Sequence, residues 1–561
     1  MNAAARHRAP LLRRALAIAL AWLVLGELGV PALIAWLHAA DAAGWWEPLA
    51  RAVTRAQARH SLPYYLDSWR DDGRWAALAL LGYQALSLGL RSARFGARFV
   101  PPATPSALGA IRALVAGVLL ASALWEHLPS SALLPRGMTH GVGPVLGLLY
   151  ALPIGFDAAV ASEAALGVLQ LATIALLACA ALGWRTRLTV PLAAAGYLLL
   201  AGILRQYAWF YHTGLIPLYL LIALSFTPCG DGCSLDRWLR ARRGAPVADA
   251  NQPSLRYGWP RFFVWTALAL PYVFAGLSKL RRGGLDWPHA DNLKSILLID
   301  TLNPMQFDWS LTLALVNAPD ALFWGIGIAT LIGEIGYGTV LFSRRARLVL
   351  PALTLGMHLG IWLLQNVLFF DLILLQAVFY DWRALRSRGL PGLAPAPVAA
   401  GARDPGAARE DDVASRTWTP RLRALCALLI GAFAIRIEEF PFTAMQMYSK
   451  PNLTGVIEWY SVVAESARGE RFRAPIEDAF PALRDARYRR VIRQSFSGDD
   501  RDRALGEEFL AAFLRVHAER VATADPIVAV EARQWRWDFA RQPNDSAHGE
   551  LVARFEVRAT R

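Results

Sequence analysis

The sequence predicts an all-α polytopic membrane bundle of about eleven transmembrane helices, with a small α+β extramembrane domain at its C-terminal end. Three observations lead there. Apolar residues make up 55% of the 561 and charged residues only 18%, with a mean hydropathy of +0.31, so much of the chain belongs in lipid. The apolar residues gather in runs near the length of a bilayer crossing, separated by short arginine-rich connectors. Beyond about Phe440 the composition turns charged and mixed, as in a water-facing domain.

A crossing needs about 20 apolar residues. The candidate spans are 15–37, 73–90, 107–127, 163–183, 187–204, 207–227, 258–280, 319–342, 346–365, 367–380 and 421–439. Val142 to Phe156 is apolar but short and proline-bounded, and reads as interfacial or re-entrant. A net charge of +14 would suggest nucleic acid in a soluble protein. Here it marks orientation instead. Clusters at Arg6/Arg8/Arg13/Arg14, Arg91/Arg94/Arg98, Arg185/Arg187, Arg237/Arg240/Arg242/Arg243, Arg344/Arg345/Arg347 and Arg383/Arg386/Arg388 share one side when eleven passes follow a cytoplasmic N-terminus. Arg51, Arg55, Arg59, Arg281 and Arg282 fall opposite. The expected localisation is a multi-pass protein of the cell (inner) membrane, its C-terminal domain on the outer or periplasmic side.

The expected domains follow the spans. Residues 1–106 hold two transmembrane helices and 107–388 form the main membrane domain. Residues 389–420, rich in Pro, Gly and Ala and then mixed in charge, read as a flexible cytoplasmic linker. Residues 421–439 are the last span, and 440–561 the outer-side domain. In that domain Ile527–Phe539 and Glu550–Val557 alternate like a hairpin. Leu505, Phe509, Phe513 and Val516 recur at helical spacing, predicting a helix over Arg501–Val521.

Four cysteines give little chemistry. Cys179 and Cys426 lie in apolar runs, and Cys229 with Cys233 makes one Cys-x3-Cys pair with no second pair. A zinc site needs about four ligands, so no metal is implied, and no disulfide framework either. Pro228-Cys-Gly-Asp-Gly-Cys-Ser234-Leu-Asp236 breaks a helix and lets Ser234 cap the next one, a structural reading. No cleavable signal peptide is expected, because the run from Ala15 to Leu37 is long and lacks a small-residue cleavage site.

The lysines are more telling. Only Lys279, Lys294 and Lys450 are lysine among 58 basic side chains. Arginine fills nearly every site that merely needs positive charge, so a lysine marks a place for an amine, which unlike arginine can lose its proton. Ionisable groups inside lipid are costly and are kept by pairing or by function. Four fall within the candidate spans: Lys279, His212, Glu334 and His358. Each has a bland reading: Lys279 snorkelling, the histidines bonding across helices, Glu334 pairing with a histidine or lysine. Lys279 and His212 come from separate helices yet share a depth and a side. Together they make an acid/base pair for a lipid-soluble substrate.

At these residues the chain resembles a known family. Trp209-x-x-His212, Ser234-Leu-Asp236, Ala275-Gly-Leu-Ser-Lys279-Leu280 followed by Trp287, and His358 ahead of Phe379-Tyr-Asp381-Trp382 stand in the order of the horizontally transferred transmembrane (HTTM) domain. That domain is the membrane part of the vitamin K-dependent gamma-carboxylases, and the resemblance covers about half the chain, from Leu108 to Trp382. It implies that Lys279 is the base that deprotonates a reduced, vitamin K-like quinone, with His212 as its catalytic companion. Trp209, Tyr211, His358 and Glu334 are the further candidates for holding that cofactor. In the carboxylases two asparagines precede this histidine and a lysine precedes the motif lysine, whereas Phe210, Tyr211 and Ser278 stand here. The lysine-to-tryptophan spacing is longer here, and the C-terminal domain is small beside the carboxylases' substrate-binding region. The glutamate substrate is therefore not carried over.

Three functions remain open at this stage. One is a quinol-dependent membrane enzyme of carboxylase or epoxidase type, lyase-like, using Lys279. Another is a non-catalytic scaffold or maturation factor for an exported protein or peptide, which Trp535 and Trp537 in the outer domain would contact. The last is a proton-coupled transporter using Glu334 and His358.

Overall fold

The computed structural model describes residues 62–91, 93–139, 143–207, 212–304, 306–380, 405–521 and 524–559, with isolated positions before 62. The chain forms two compact units. The smaller contains helix α1 (Leu62–Arg91) and most of the helix Pro405–Ala434. Within it Trp75 meets Phe433 edge-on at 6.1 Å, and Arg423 Nε donates to Ser87 Oγ at 2.7 Å.

The larger unit holds the membrane helices α2 (Pro105–Trp125), α3 (Glu163–Leu182), α4 (Thr186–Tyr207), α5 (Leu215–Ser225), α6 (Leu235–Arg242), α7 (Leu255–Gly283), α8 (Ala290–Leu302), α9 (Asp320–Gly336), α10 (Arg344–Gln365) and α11 (Phe370–Leu375). Hydroxyl side chains start four of them: Thr104 accepts from the Ala107 N–H, Ser162 from Ala165, Ser234 from Arg237 and Ser343 from Ala346, at 3.0 to 3.3 Å. Gly183, at φ +75°, ends α3 in the left-handed region and turns the chain into α4.

Among the described residues six helices are long and apolar enough to cross a membrane: α2, α3, α4, α7 extended to Asp286, α9 extended to Leu341, and α10. The expected count of about eleven is not confirmed. The candidate 15–37 lies outside the described residues. The run 207–227 is interrupted at Gly214, where φ is +77°, leaving α5 with 11 residues, about 16 Å of helix. The run 367–380 becomes α11 and a short 3-10 turn ending at Phe379. Runs 73–90 and 421–439 lie in helices diluted by polar residues such as Gln84, Arg421 and Arg423. Val142–Phe156 contributes only the short helix Gly143–Ala151. The helix α12 (Pro405–Ala434) begins inside the stretch read as linker, because proline suits a first helical turn and the alanines and charged residues after it are good helix formers.

The spanning helices leave Val168, Leu171, Ile332 and Leu353 exposed by 61% to 69%. Each such side chain would cost about 1.5–3 kcal/mol in water relative to burial. In lipid the cost vanishes, and this is a membrane protein.

The C-terminal residues form a four-stranded antiparallel sheet in the order β2–β1–β3–β4: β1 Val456–Ser466, β2 Arg471–Arg473, β3 Ile527–Asp538 and β4 Glu550–Arg558. The expected hairpin is β3 with β4, and the expected helix is α13 (Asp500–Arg520). Phe480, Phe509, Phe513 and Ala532 fill its core, which reaches Leu134, Met138 and Tyr207 of the membrane part. Trp537 is spent inside, 1% exposed, with Ile457 and Phe539. Trp535 stacks on Trp459 across the strands at 5.2 Å. The surface reading of Trp537 is thus corrected: strand alternation turned it inward.

Ion pairs seat this sheet domain on the membrane helices. Arg520 grips Glu163 at the start of α3, at 2.6 and 2.9 Å. Arg487, 7% exposed, holds both carboxylate oxygens of Glu126 at 2.7 Å, just past the end of α2. Removing one partner of a buried pair strands the other charge. Glu126→Ala should therefore lower stability by about 3 kcal/mol, read as a fall in melting temperature in detergent. An unchanged melting temperature would remove this pair as the clamp.

Candidate functional site

Three helices converge on one cavity of about 640 Å³ in the membrane part. Tyr272 and Lys279 come from α7, Glu334 from α9 and His358 from α10, all on the wall. Tyr272 lies seven residues before Lys279, two turns along the same face. Apolar side chains such as Leu293, Leu297, Ile326 and Met357 make most of the surface. Tyr448, from the segment that leads into the sheet domain, closes one part of it.

Lys279 Nζ donates to both oxygens of Glu334, at 2.8 and 2.9 Å, and the two side chains are only 6% and 9% exposed. Nζ also lies 5.3 Å from the centre of the Trp287 ring, a cation–π distance. Trp287 is fixed in turn, its Nε1 donating to the Tyr448 carbonyl at 2.6 Å. Gly276 explains how α7 and α9 come close enough. A Cβ there would lie 2.6 Å from Ile335 Cγ1 and 3.1 Å from Glu334 Cβ, so any side chain pushes the helices apart.

Behind the ion pair runs a chain of neutral polar groups. Gln376 Nε2 donates to the Leu372 carbonyl at 2.9 Å and to Tyr272 Oη at 3.1 Å, while its Oε1 accepts from Tyr337. Tyr272 Oη lies 2.8 Å from His358 Nε2. His358 Nδ1, on the other side of the ring, is buried and has no hydrogen-bond partner among the described residues.

His212 is not on the cavity wall; its Nε2 faces Glu438 Oε2 at 3.9 Å. Burial, with the charges of Arg205 and Lys279 added, pushes its imidazole from 6.5 down to about 3, so it is neutral. Trp209 and Tyr211 lie outside the described residues. The Ser234-Leu-Asp236 segment is a capping device. Ser234 Oγ accepts from the Arg237 N–H, and the Asp236 carboxylate accepts from Arg185 N, Thr186 N and Thr186 Oγ1 at 2.7 to 2.9 Å. Cys229 and Cys233 supply backbone carbonyls, not sulfur, to the fully buried Arg112.

Residues 102–381 match the family model of the HTTM domain. The chain belongs to the HTTM-domain family. No curated protein and no solved structure matches it. The HTTM domain contains Lys279, Glu334, His358, Tyr272, Gln376 and His212, while Tyr448 reaches the cavity from outside it. Through that domain the protein is related to the gamma-carboxylases.

Two outcomes test this geometry. A histidine held near 3 and released to about 6.5 on unfolding takes up its proton only in the unfolded chain between those values. Stability from this group is complete above 6.5 and falls as pH drops towards 3. His212→Gln should therefore lose less melting temperature than the native chain over that window, and equal losses would refute a buried neutral histidine. Gly276→Val should separate α7 from α9 and cost about 2 kcal/mol or more, whereas Gly117→Val, where a Cβ meets nothing within 4 Å, should not. Equal melting temperatures for the two variants would show that Gly276 is not a contact point.

Proposed function

We propose that this HTTM-domain protein is a membrane enzyme in which Lys279 acts as base on a lipid-soluble quinol. The observation that carries the reading is the Lys279–Glu334 pair on the wall of an apolar cavity inside the membrane spans. The residues fit such a ligand. A volume of about 640 Å³ lies within the range of small-molecule sites, and the apolar lining with a few convergent polar groups suits a ring system soluble in lipid. Trp287, Tyr272 and His358 would hold the head group.

A bound quinol would supply an ionisable hydroxyl and the two electrons its oxidation releases. Lys279 Nζ takes the hydroxyl proton as an amine. As an ammonium it must first lose one, and Glu334 stands at 2.8 Å to accept it. In a low-dielectric wall the neutral amine and acid compete well with the charged pair, because burial penalises both charges. Tyr272 and His358 are locked by their own hydrogen bonds and orient the ligand without being consumed. Tyr448 and the apolar lining exclude water from Nζ. His212 remains neutral and close enough to feel the Lys279 charge, a second acid/base group beside the cavity. The arginine distribution favours placing the C-terminal domain on the outer side of the cell membrane.

Lys279→Met and Lys279→Arg should each lower quinol oxidation in proteoliposomes by about 100-fold or more, and Glu334→Gln should lower it too. Turnover that survives both lysine substitutions overturns the assignment.

A further inference from the structure

The rim where α3 turns into α4 carries a patch that takes no part in the Lys279 cavity. Both helices are long enough to cross the membrane, so the turn between them, Gly183 to Arg185, lies at one bilayer surface. Helix α6 is fastened to that turn. Asp236, in its first turn, accepts from Arg185 N, Thr186 N and Thr186 Oγ1 at 2.7 to 2.9 Å. With one acidic and three basic side chains among its eight residues, α6 does not enter hydrocarbon. It sits at the height of the head groups.

At that height the patch presents apolar rings and unanswered cations together. Leu235 and Trp238, three residues apart on one face of α6, are exposed, and so are Trp184 on the turn and Phe226 at the end of α5. Tryptophan and apolar side chains in such a place belong at the boundary between head groups and acyl chains. Two of the rings carry arginines. The Arg242 guanidinium lies 4.0 Å from the centre of the Trp238 ring, and that of Arg185 lies 5.5 Å from Trp184. Stacking holds a guanidinium by its face and leaves its N–H edges open for an oxyanion. Arg187 and Arg243, also exposed, add to the same positive field. Among the described residues none of these four guanidinium groups meets a carboxylate, whereas Arg240 of the same helix is paired with Asp231 at 3.4 Å.

We propose that α6 and the α3–α4 turn form a seat for the head groups of anionic phospholipids. Each stacked pair, Arg185 on Trp184 and Arg242 on Trp238, takes one phosphate through the open N–H edge, and the indole beneath lies against the start of the acyl chains. Six residues, about 9 Å of helix, separate Arg242 from the Asp236 clamp beside Arg185, so the two pairs serve two head groups. The net charge of the lipid decides the preference. A zwitterionic head group offers the same phosphate but brings its own cation, which the arginines repel. Asp236 keeps both pairs on one rim by holding α6 to the turn.

The test titrates the full chain in non-ionic detergent with dioctanoyl phosphatidylglycerol or dioctanoyl phosphatidylcholine, and reads the melting temperature against lipid concentration. Phosphatidylglycerol should raise it at lower concentration than phosphatidylcholine. Arg185→Gln and Arg242→Gln should each weaken phosphatidylglycerol by about fivefold, and the double variant by about 25-fold. Arg515→Gln/Arg536→Gln, which removes two exposed arginines of the sheet domain, should leave it unchanged. Equal affinity for the two lipids overturns the proposal, as does a double variant at α6 and the turn that binds like the native chain. An equal loss in the sheet-domain variant overturns it too, because net charge alone then sets the affinity. Inorganic phosphate that reproduces the rise in melting temperature and displaces the lipid marks a free-phosphate site and overturns the lipid as occupant.

Discussion

An ammonium group placed among lipid-facing helices must have its charge answered at short range, because no water reaches it and desolvation alone costs several kcal/mol. Lys279 meets that requirement by gripping both oxygens of Glu334, and the two helices that carry them are bound to one geometry as a result. The pairing leaves little slack. Gly276 presents no side chain where α7 and α9 approach, and Trp287 lies 5.3 Å from the ammonium. If the pair is broken by one substitution, the surviving charge is stranded, which is far worse than removing both. The position of α9 against α7, and with it the cavity they enclose, follows from this one contact.

A second constraint fixes the far wall. Gln376 uses both amide hydrogens and its oxygen, so it connects Tyr337, the Leu372 carbonyl and Tyr272, and Tyr272 in turn meets His358 Nε2. The site therefore combines a charged half, the Lys279–Glu334 pair, with a neutral half built from hydrogen bonds among Tyr272, Gln376, Tyr337 and His358.

Much of this was legible in the residues, and the limits have physical causes. Lys279 stood out because lysine is so rare in this chain, and Glu334 and His358 because ionisable groups are expensive in apolar helices. Their convergence was not legible, since 55 positions separate Lys279 from Glu334 and no local pattern encodes a contact that long. Tyr272, Gln376 and Tyr337 escaped notice because neutral polar residues cost little in a helix and so draw no attention, although Tyr272 at i−7 shares the Lys279 face. His212 had the right depth but not the right wall: the turn at Gly214 directs it towards Glu438. The hairpin and α13 were read from strict alternation and helical spacing, where burial on one face writes directly into sequence. Among the described residues the expected spans that fall short of a crossing hold a turn or polar residues inside the apolar run.

The sheet domain is part of this site and not an attachment to it. Arg487 and Arg520 anchor it to the ends of α2 and α3, and the chain that leads into it lays Met445, Met447 and Tyr448 against the cavity. Tyr448 then acts at both ends of its own length: its carbonyl orients Trp287 beside Lys279, and its hydroxyl donates to Asp300, the carboxylate that Arg489 also approaches at 3.6 Å. The position of the ring over the lysine is thus tied, through one residue, to an ion pair at the base of the water-facing domain.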